Sequence, residues 1–232
     1  MTISENVALV RENIARAAER AGRSPSEITL LAASKMNDAS RIREAFHAGI
    51  TVFGENRVQE MLEKNALGAY AGARLHFIGH LQKNKAKQVV GLAGLIHGVD
   101  SVALLQILSR LAEMRGLVQD VLLEVNIGRE SSKSGFFPSD LPSALDESES
   151  LPGIRVRGLM AIPPVCSNPD EIRPYFAQMQ QLFVDNGEKK YDNSSMDFLS
   201  LGMSGDYELA IEYGSNLVRV GTGIFGPRSY AV

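Results

Sequence analysis

The chain has no tryptophan, a single cysteine and only four histidines among its 232 residues. One cysteine, Cys166, excludes an intrachain disulfide and any zinc site built on paired cysteines. It lies in the proline-rich stretch Pro163-Pro164-Val165-Cys166-Ser167, where a structural role is the expectation. A strong charge of either sign is also missing: 24 basic residues against 27 acidic ones give a formal net charge of −3. Nucleic-acid binders usually carry a marked basic excess, so no such partner is expected. No apolar run is long enough to cross a bilayer. The N-terminal segment places Val7, Val10, Ile14, Ala17, Ala18 and Ala21 at helical spacing among charged residues, without an unbroken apolar stretch. It reads as an amphipathic helix, neither signal peptide nor membrane span, and a cytoplasmic protein is expected.

What is present is ample material for one core. Hydrophobic residues make up 44% of the chain, and no Gly/Ser linker or low-complexity tract divides it, so residues 1–232 are expected to form a single domain. After the leading helix come eight strand-like apolar runs at about 29–34, 51–54, 75–79, 95–99, 120–126, 155–161, 197–201 and 217–221. Each is followed by a turn and a helical pattern. Ser101 is placed to cap a helix that Gly116 ends, with Val102, Leu105, Leu108, Leu111 and Ala112 as its buried stripe. Asn168-Pro169 opens another, whose core face is Ile172, Phe176, Met179 and Phe183. Gly49, Gly187 and Gly214 fall where helix C-termini are expected. Eight βα units point to an α/β fold, a TIM-type (β/α)8 barrel with an extra N-terminal helix. An open doubly wound sheet is the alternative, because a strand count does not prove closure.

In such barrels the chemistry lies at the C-terminal ends of the strands. Those ends read Lys35, Glu55-Asn56, His80, Asp100, Asn126, Ile162, Met203-Ser204 and Gly221-Thr222. Lys35 is either a solvated strand terminus or an amine whose surroundings lower its pKa and make it nucleophilic toward aldehydes. The loops after strands seven and eight, Ser200-Leu201-Gly202-Met203-Ser204-Gly205 and Val220-Gly221-Thr222-Gly223-Ile224-Phe225-Gly226, combine glycines with hydroxyl donors. That composition suits an anion, and these two loops are where barrels frequently hold phosphate. The bland alternative makes Ser204 a cap for the helix that follows it and the glycines mere turn formers. Arg219, two residues before Gly221, shares its strand face. Directed into a barrel it needs a partner: a ring nitrogen, a phosphate, or a carboxylate such as Glu55 or Glu124.

Lysine, anion cradle and inward arginine together suggest pyridoxal 5′-phosphate (PLP), with its aldehyde on Lys35, its phosphate on Ser204, Gly221 and Thr222, and its pyridine nitrogen facing Arg219. The segments Ala33-Ser34-Lys35, Phe53-Gly54-Glu55-Asn56, His76-Phe77-Ile78-Gly79-His80-Leu81-Gln82-Lys83-Asn84-Lys85, Asn126…Glu130…Lys133-Ser134-Gly135, Gly158-Leu159-Met160-Ala161, Leu199-Ser200-Leu201-Gly202-Met203-Ser204 and Val218–Gly226 resemble the pyridoxal phosphate homeostasis protein family. They run in order along most of the chain. Met36-Asn37-Asp38 departs from the Thr-Lys-Pro-like run of many members. The resemblance implies the barrel of the alanine racemase N-terminal domain and a Schiff base through Lys35. It also implies phosphate contacts from Ser204 and the Gly221-Thr222 turn, Arg219 at the pyridine nitrogen and Asn56 near the ring, with Met203 among the cofactor-binding residues.

PLP enzymes that use the ring as a strong electron sink generally pair its nitrogen with a carboxylate. A cationic Arg219 there disfavours the protonated ring. Racemases of this fold complete their site with a second, β-rich domain, for which no room is expected after Gly226. The expected function is therefore intracellular PLP homeostasis, holding and buffering or delivering the cofactor, with PLP-dependent apo-enzymes as recipients and without established catalysis. The chain is expected to be a monomer. The competing readings are a fold-type III PLP enzyme (an amino-acid racemase or decarboxylase), a metal-dependent hydrolase using His76, His80 and His97, and nucleic-acid binding through Lys83, Lys85 and Lys87. The histidines lack a carboxylate-rich ligand set, so a packed His76 and a rim-exposed His80 are the simpler expectation, and the lysines lack interleaved aromatics.

Overall fold

Glycines and caps cut the apolar pattern into short pieces, and the pieces close on themselves. The computed structural model describes residues 1–166, 168–189 and 191–227. Its strands are β1 (Thr29–Ala33), β2 (Val52–Glu55), β3 (Arg74–Phe77), β4 (Leu95–Val99), β5 (Gln119–Glu124), β6 (Ile154–Met160), β7 (Ser194–Ser200) and β8 (Leu217–Val220). All pair in parallel with their sequence neighbours, and β8 returns to β1 through Leu31↔Arg219 and Ala32↔Val220, so the barrel is closed. That pairing eliminates the open-sheet alternative. The expected strand positions hold to within about three residues; the largest shift is β7, which starts at Ser194 and not at 197.

The helices are α1 (Ile3–Arg20), α2 (Ala39–His47), α3 (Val58–Ala66), α4 (Ala86–Val89), α5 (Val102–Glu113), α6 (Leu141–Ser148), α7 (Pro169–Gly187), α8 (Tyr207–Glu212) and α9 (Thr222–Phe225). None is long and apolar enough to cross a membrane. Helix α1 starts with a full capping box between Thr2 and Glu5, and its buried stripe is Ile3, Val7, Val10, Ile14, Ala17 and Ala18. Gly49, Gly116 and Gly214 follow helix ends with φ of +96°, +66° and +86°, the left-handed turn that glycine takes without a Cβ penalty. Gly187 closes α7 as its last residue. Ser101 departs from expectation: it stands at the N-cap of α5 without capping it, and its hydroxyl donates to the Asp100 carboxylate at 3.1 Å.

Strand alternation sends one set of side chains outward to the helices and the other into the barrel. Leu31, Val52, Leu95, Leu122, Met160 and Leu217 fill the interior as an apolar layer. Two residues further along three of those strands the inward positions turn polar: His97 follows Leu95, Glu124 follows Leu122 and Arg219 follows Leu217. The interior thus has an apolar floor and a polar upper layer beneath the mouth.

Gly158 shows how tight the wall is. It has φ +139°, and a Cβ there would lie 2.0 Å from the Phe198 carbonyl oxygen, next to the register shift between β6 and β7. Gly22 has φ +67° with open space around it. Gly158→Ala is expected to cost about 3 kcal/mol and Gly22→Ala about 1 kcal/mol, read from urea unfolding midpoints. Equal costs would contradict the close approach at Gly158.

Candidate functional site

Lys35 sits just past β1 in a tight turn that the surrounding charges hold from both sides. Asn37 N–H donates to the Ser34 carbonyl at 3.1 Å, and Met36 adopts φ +61°, a left-handed conformation rare for a residue with a side chain. Three buried or half-buried charges stitch the turn down. Lys64 Nζ donates to the Ser34 carbonyl (2.9 Å), to Glu55 Oε1 (2.8 Å) and to Glu60 Oε2 (2.9 Å). The Ser34 hydroxyl donates to Glu55 Oε1 at 2.6 Å, and Met36 N–H donates to Glu60 Oε2 at 2.8 Å. The two residues flanking Lys35 are thereby fixed, and Lys35 itself is half-buried at the mouth. Burial pushes the Glu55 carboxyl up despite the neighbouring ammonium, and burial likewise pushes the Tyr70 phenol up beside it.

The candidate cradle is built by a hydroxyl reaching across two loops. Ser204 Oγ accepts from Gly221 N–H (3.1 Å) and from Gly223 N–H (3.2 Å). Ser204 therefore does not cap α8, the helix that follows it. Asp206 stands at the start of that helix and takes the Met203 N–H. Helix α1 braces the same turn from outside, with Asn6 Nδ2 donating to the Ile224 carbonyl at 2.9 Å. A Cβ at Gly221 would lie 3.4 Å from the Ala33 carbonyl oxygen, so the last strand's exit presses on the first strand's end.

Arg219 points into the barrel and is 4% exposed. Its Nη1 donates to the Ser200 carbonyl (2.7 Å) and hydroxyl (2.6 Å), and its Nη2 to the Ala161 carbonyl (3.0 Å). Neither expected carboxylate pairs with it: Glu55 is engaged by Lys64, and Arg219 has no ion pair with Glu124 among the described residues. Burial lowers its pKa to about 10, which leaves it cationic at neutral pH. His97 Nδ1 lies 3.1 Å from Ser200 Oγ, and His97 Nε2 lies 3.0 Å from His76 Nδ1. Burial lowers the His76 pKa to about 3 and holds His97 well below its ordinary value, so both rings are neutral. His80 stands apart on the rim, paired with Asp100 at 2.9 Å. The three histidines thus do not converge, and the two that meet spend ring nitrogens on each other.

Five of the seven candidate residues line adjoining cavities of the mouth, whereas Arg219 lies buried in the interior and Asn56 lines neither cavity. Lys35, Gly221 and Thr222 line a cavity of about 280 Å³ together with Arg41. Met203, 40% exposed, and Ser204 line a neighbouring groove of about 920 Å³. The Ser204 hydroxyl links the two. Asn56 follows β2, and its buried Oδ1 has no hydrogen-bond partner among the described residues, as is true of Arg41 Nε. Asn126 ties a loop, its side chain bonding Glu130 and the Lys133 carbonyl. Lys83, Lys85 and Lys87 are exposed on a short helical stretch. The sequence reading missed Lys64, Glu60, Ser200 and Arg41 as companions of the site. The one available signal was His97, a polar residue inside the otherwise apolar run Leu95–Val99.

The buried histidines set a pH dependence. His76 takes up a proton near pH 3 in the folded chain and near its ordinary 6.5 when unfolded. The unfolded state binds more protons between those values, so stability falls as pH drops from 6.5 toward 3. His76→Gln is expected to remove about 2 kcal/mol of the wild-type loss between pH 7 and pH 5, measured by denaturant unfolding at both pH values. Identical pH slopes in variant and wild type would contradict a neutral buried His76.

Comparison with known proteins follows the geometry. A family described as alanine racemase, N-terminal domain, matches residues 6–229. The chain is 43% identical to the pyridoxal phosphate homeostasis protein of Aquifex aeolicus (strain VF5), over 99% of this chain and 100% of that one. It is also 43% identical to the protein of the same name from Escherichia coli (strain K12), over 99% of this chain and 98% of that one. The solved structure of PipY from Synechococcus elongatus PCC7942 with PLP bound matches with a TM-score of 0.84 at 34% identity, covering 97% of this chain and all of PipY. With its closed barrel, its lysine at the end of β1 and this similarity over its whole length, the chain belongs to the alanine racemase N-terminal domain family and, within it, to the pyridoxal phosphate homeostasis proteins.

Proposed function

We propose that this chain binds PLP at the barrel mouth, carries it as a Schiff base on Lys35, and buffers or delivers it without turning over a substrate of its own. The observation that carries this reading is the convergence of Gly221 N–H and Gly223 N–H on one oxygen, Ser204 Oγ, in loops that flank the cavity shared by Lys35, Gly221 and Thr222. Both N–H groups are spent on Ser204 Oγ, which anchors that hydroxyl at the turn and leaves its own O–H to donate to a phosphate oxygen, and Arg41 adds a cation with an unsatisfied buried Nε. The residues present fit the cofactor.

In this reading Gly221, Thr222 and Ser204 hold the phosphate, with Met203 beside them. Asn56, whose buried Oδ1 awaits a donor, lies beside the ring, and Arg219 faces the pyridine nitrogen. Bound PLP supplies an aldehyde for the lysine amine and a ring able to withdraw electrons. Arg219 works against the second property, because a guanidinium that stays charged disfavours a second positive charge on the neighbouring nitrogen. The clamp on Ser34 and Met36 fixes the backbone from which Lys35 reaches, so its amine is presented at a constant place. Residues 1–232 then act as one cofactor-binding unit, a cytoplasmic monomer whose recipients are PLP-dependent apo-enzymes. That role fits the name its relatives carry.

Lys35→Ala is expected to fold normally, since Lys35 lies beyond the packed strand, and to lose the visible absorption band that wild type shows with PLP. Thr222→Ala is expected to weaken PLP retention on the order of tenfold, about one charge-assisted hydrogen bond, while shifting the unfolding midpoint little. Binding is followed by absorption titration and folding by circular dichroism. An unchanged band in Lys35→Ala, or unchanged affinity in Thr222→Ala, would overturn the respective assignment.

A further inference from the structure

Arg219 is a fully buried cation whose immediate partners are all neutral. A buried charge is ordinarily matched by a charge of opposite sign. Here the acceptors are the Ser200 carbonyl and hydroxyl and the Ala161 carbonyl, while Asp206 and Glu124 act only across space. Three of its five N–H donors are engaged in this way, which leaves Nε–H and the second Nη2–H for other acceptors. Behind Ser200 the hydrogen bonds continue through His97 to His76, at 3.1 and 3.0 Å, and both rings are buried.

The hydrogens in this chain have one consistent arrangement. Ser200 Oγ accepts from Arg219, so its own proton must go elsewhere, and among the described residues the acceptor in reach is His97 Nδ1. A neutral His97 that accepts at Nδ1 carries its proton on Nε2 and donates it to His76 Nδ1. His76 then carries its proton on Nε2 as well. Every bond points away from the guanidinium, and each dipole turns its negative end toward the positive charge, so the bonds reinforce one another.

We propose that Ser200, His97 and His76 are positioning residues: a neutral, one-directional hydrogen-bond relay that holds Arg219 in place without neutralising it. A carboxylate at the same position would also anchor the guanidinium but would cancel its field. The relay keeps the positive potential intact at the place where the pyridine nitrogen is to be met, and so favours the unprotonated ring. This role rests on the PLP reading given above, and deepens it by naming what sets the ring nitrogen's surroundings.

The first test needs neither variant nor cofactor. Two-bond proton–nitrogen NMR correlation on protein labelled with 15N-histidine distinguishes the two neutral tautomers, and only four histidines are present. Both His76 and His97 are expected as the Nε2–H form at neutral pH. An Nδ1–H form in either ring, or a charged ring, would overturn the relay. The second test takes Ser200→Ala and Ser200→Thr with added PLP, with borohydride trapping on Lys35 as the control. Ser200→Ala is expected to take the label on Lys35 still, but to bind about fivefold more weakly, the worth of one ordinary hydrogen bond, with its absorption maximum displaced. Ser200→Thr, which keeps the hydroxyl, is expected to restore both. A labelled Ser200→Ala with wild-type affinity and spectrum would overturn the positioning role while leaving the PLP reading intact. Absence of any Lys35 label in wild type would defeat the PLP reading and this role with it, whatever the NMR result.

Discussion

The seam between the first and last strands is the constraint on which everything else depends. Leu31 pairs with Arg219 and Ala32 with Val220, so the end of β1 and the exit of β8 arrive at the same height on adjacent strands. Lys35 comes from the first closure partner, Arg219 and the Gly221-Thr222 turn from the last, and nothing local in the sequence brings them together. Barrel closure does, because a closed eight-stranded sheet leaves no edge and fixes the register of its final pair. A one-residue slip at this seam would turn Arg219 out toward the helices and Val220 into the interior. Helix α1 packs over α8 and α9 beside this seam, its Asn13 bonding the Tyr207 hydroxyl at 3.0 Å and its Asn6 the Ile224 carbonyl.

Around the seam the protein handles two buried cations in opposite ways. Lys64 is fully compensated by Glu55 and Glu60, and removal of either side would strand a charge, which typically costs 3–5 kcal/mol. Its cation is spent on structure: it ties down Ser34 and, through Glu60, Met36. Arg219 has neutral acceptors in contact and carboxylates only at a distance. The contrast separates a scaffold charge from one whose field remains available to a ligand. Both lie beneath the mouth of the same barrel.

Much of this was legible in the sequence because it is periodic or punctuated. Eight apolar runs, the glycines after α2, α5 and α8, and the Asn168 cap of α7 are local signals, and each is where the residues imply. Lys35 at the end of β1 and the Gly-rich exits of β7 and β8 were visible for the same reason. What escaped depends on register and reach. The sequence offers Ser204 to an anion and, as the alternative, to the cap of α8; it does not show that the hydroxyl serves the turn after β8, a relation that exists only once β7 and β8 are adjacent. Glu55 looked available to Arg219, but strand alternation sends it outward to Lys64 on α3. A packed His76 and a rim-exposed His80 were legible as the simpler alternative to a metal site, but the contact between His76 and His97 was not. The offset pairing of β3 with β4, His76 opposite Leu95, brings His76 and His97 ring to ring and leaves His80 on the rim.

The most direct test of the account is a crystal structure of the protein grown with PLP. The account predicts electron density continuous from Lys35 Nζ into the ring, the phosphate on the Gly221–Gly223 turn and Ser204, and the ring nitrogen against Arg219. Density confined to the larger groove between Met203 and the Ile162–Cys166 loop, with Lys35 unmodified, would contradict it.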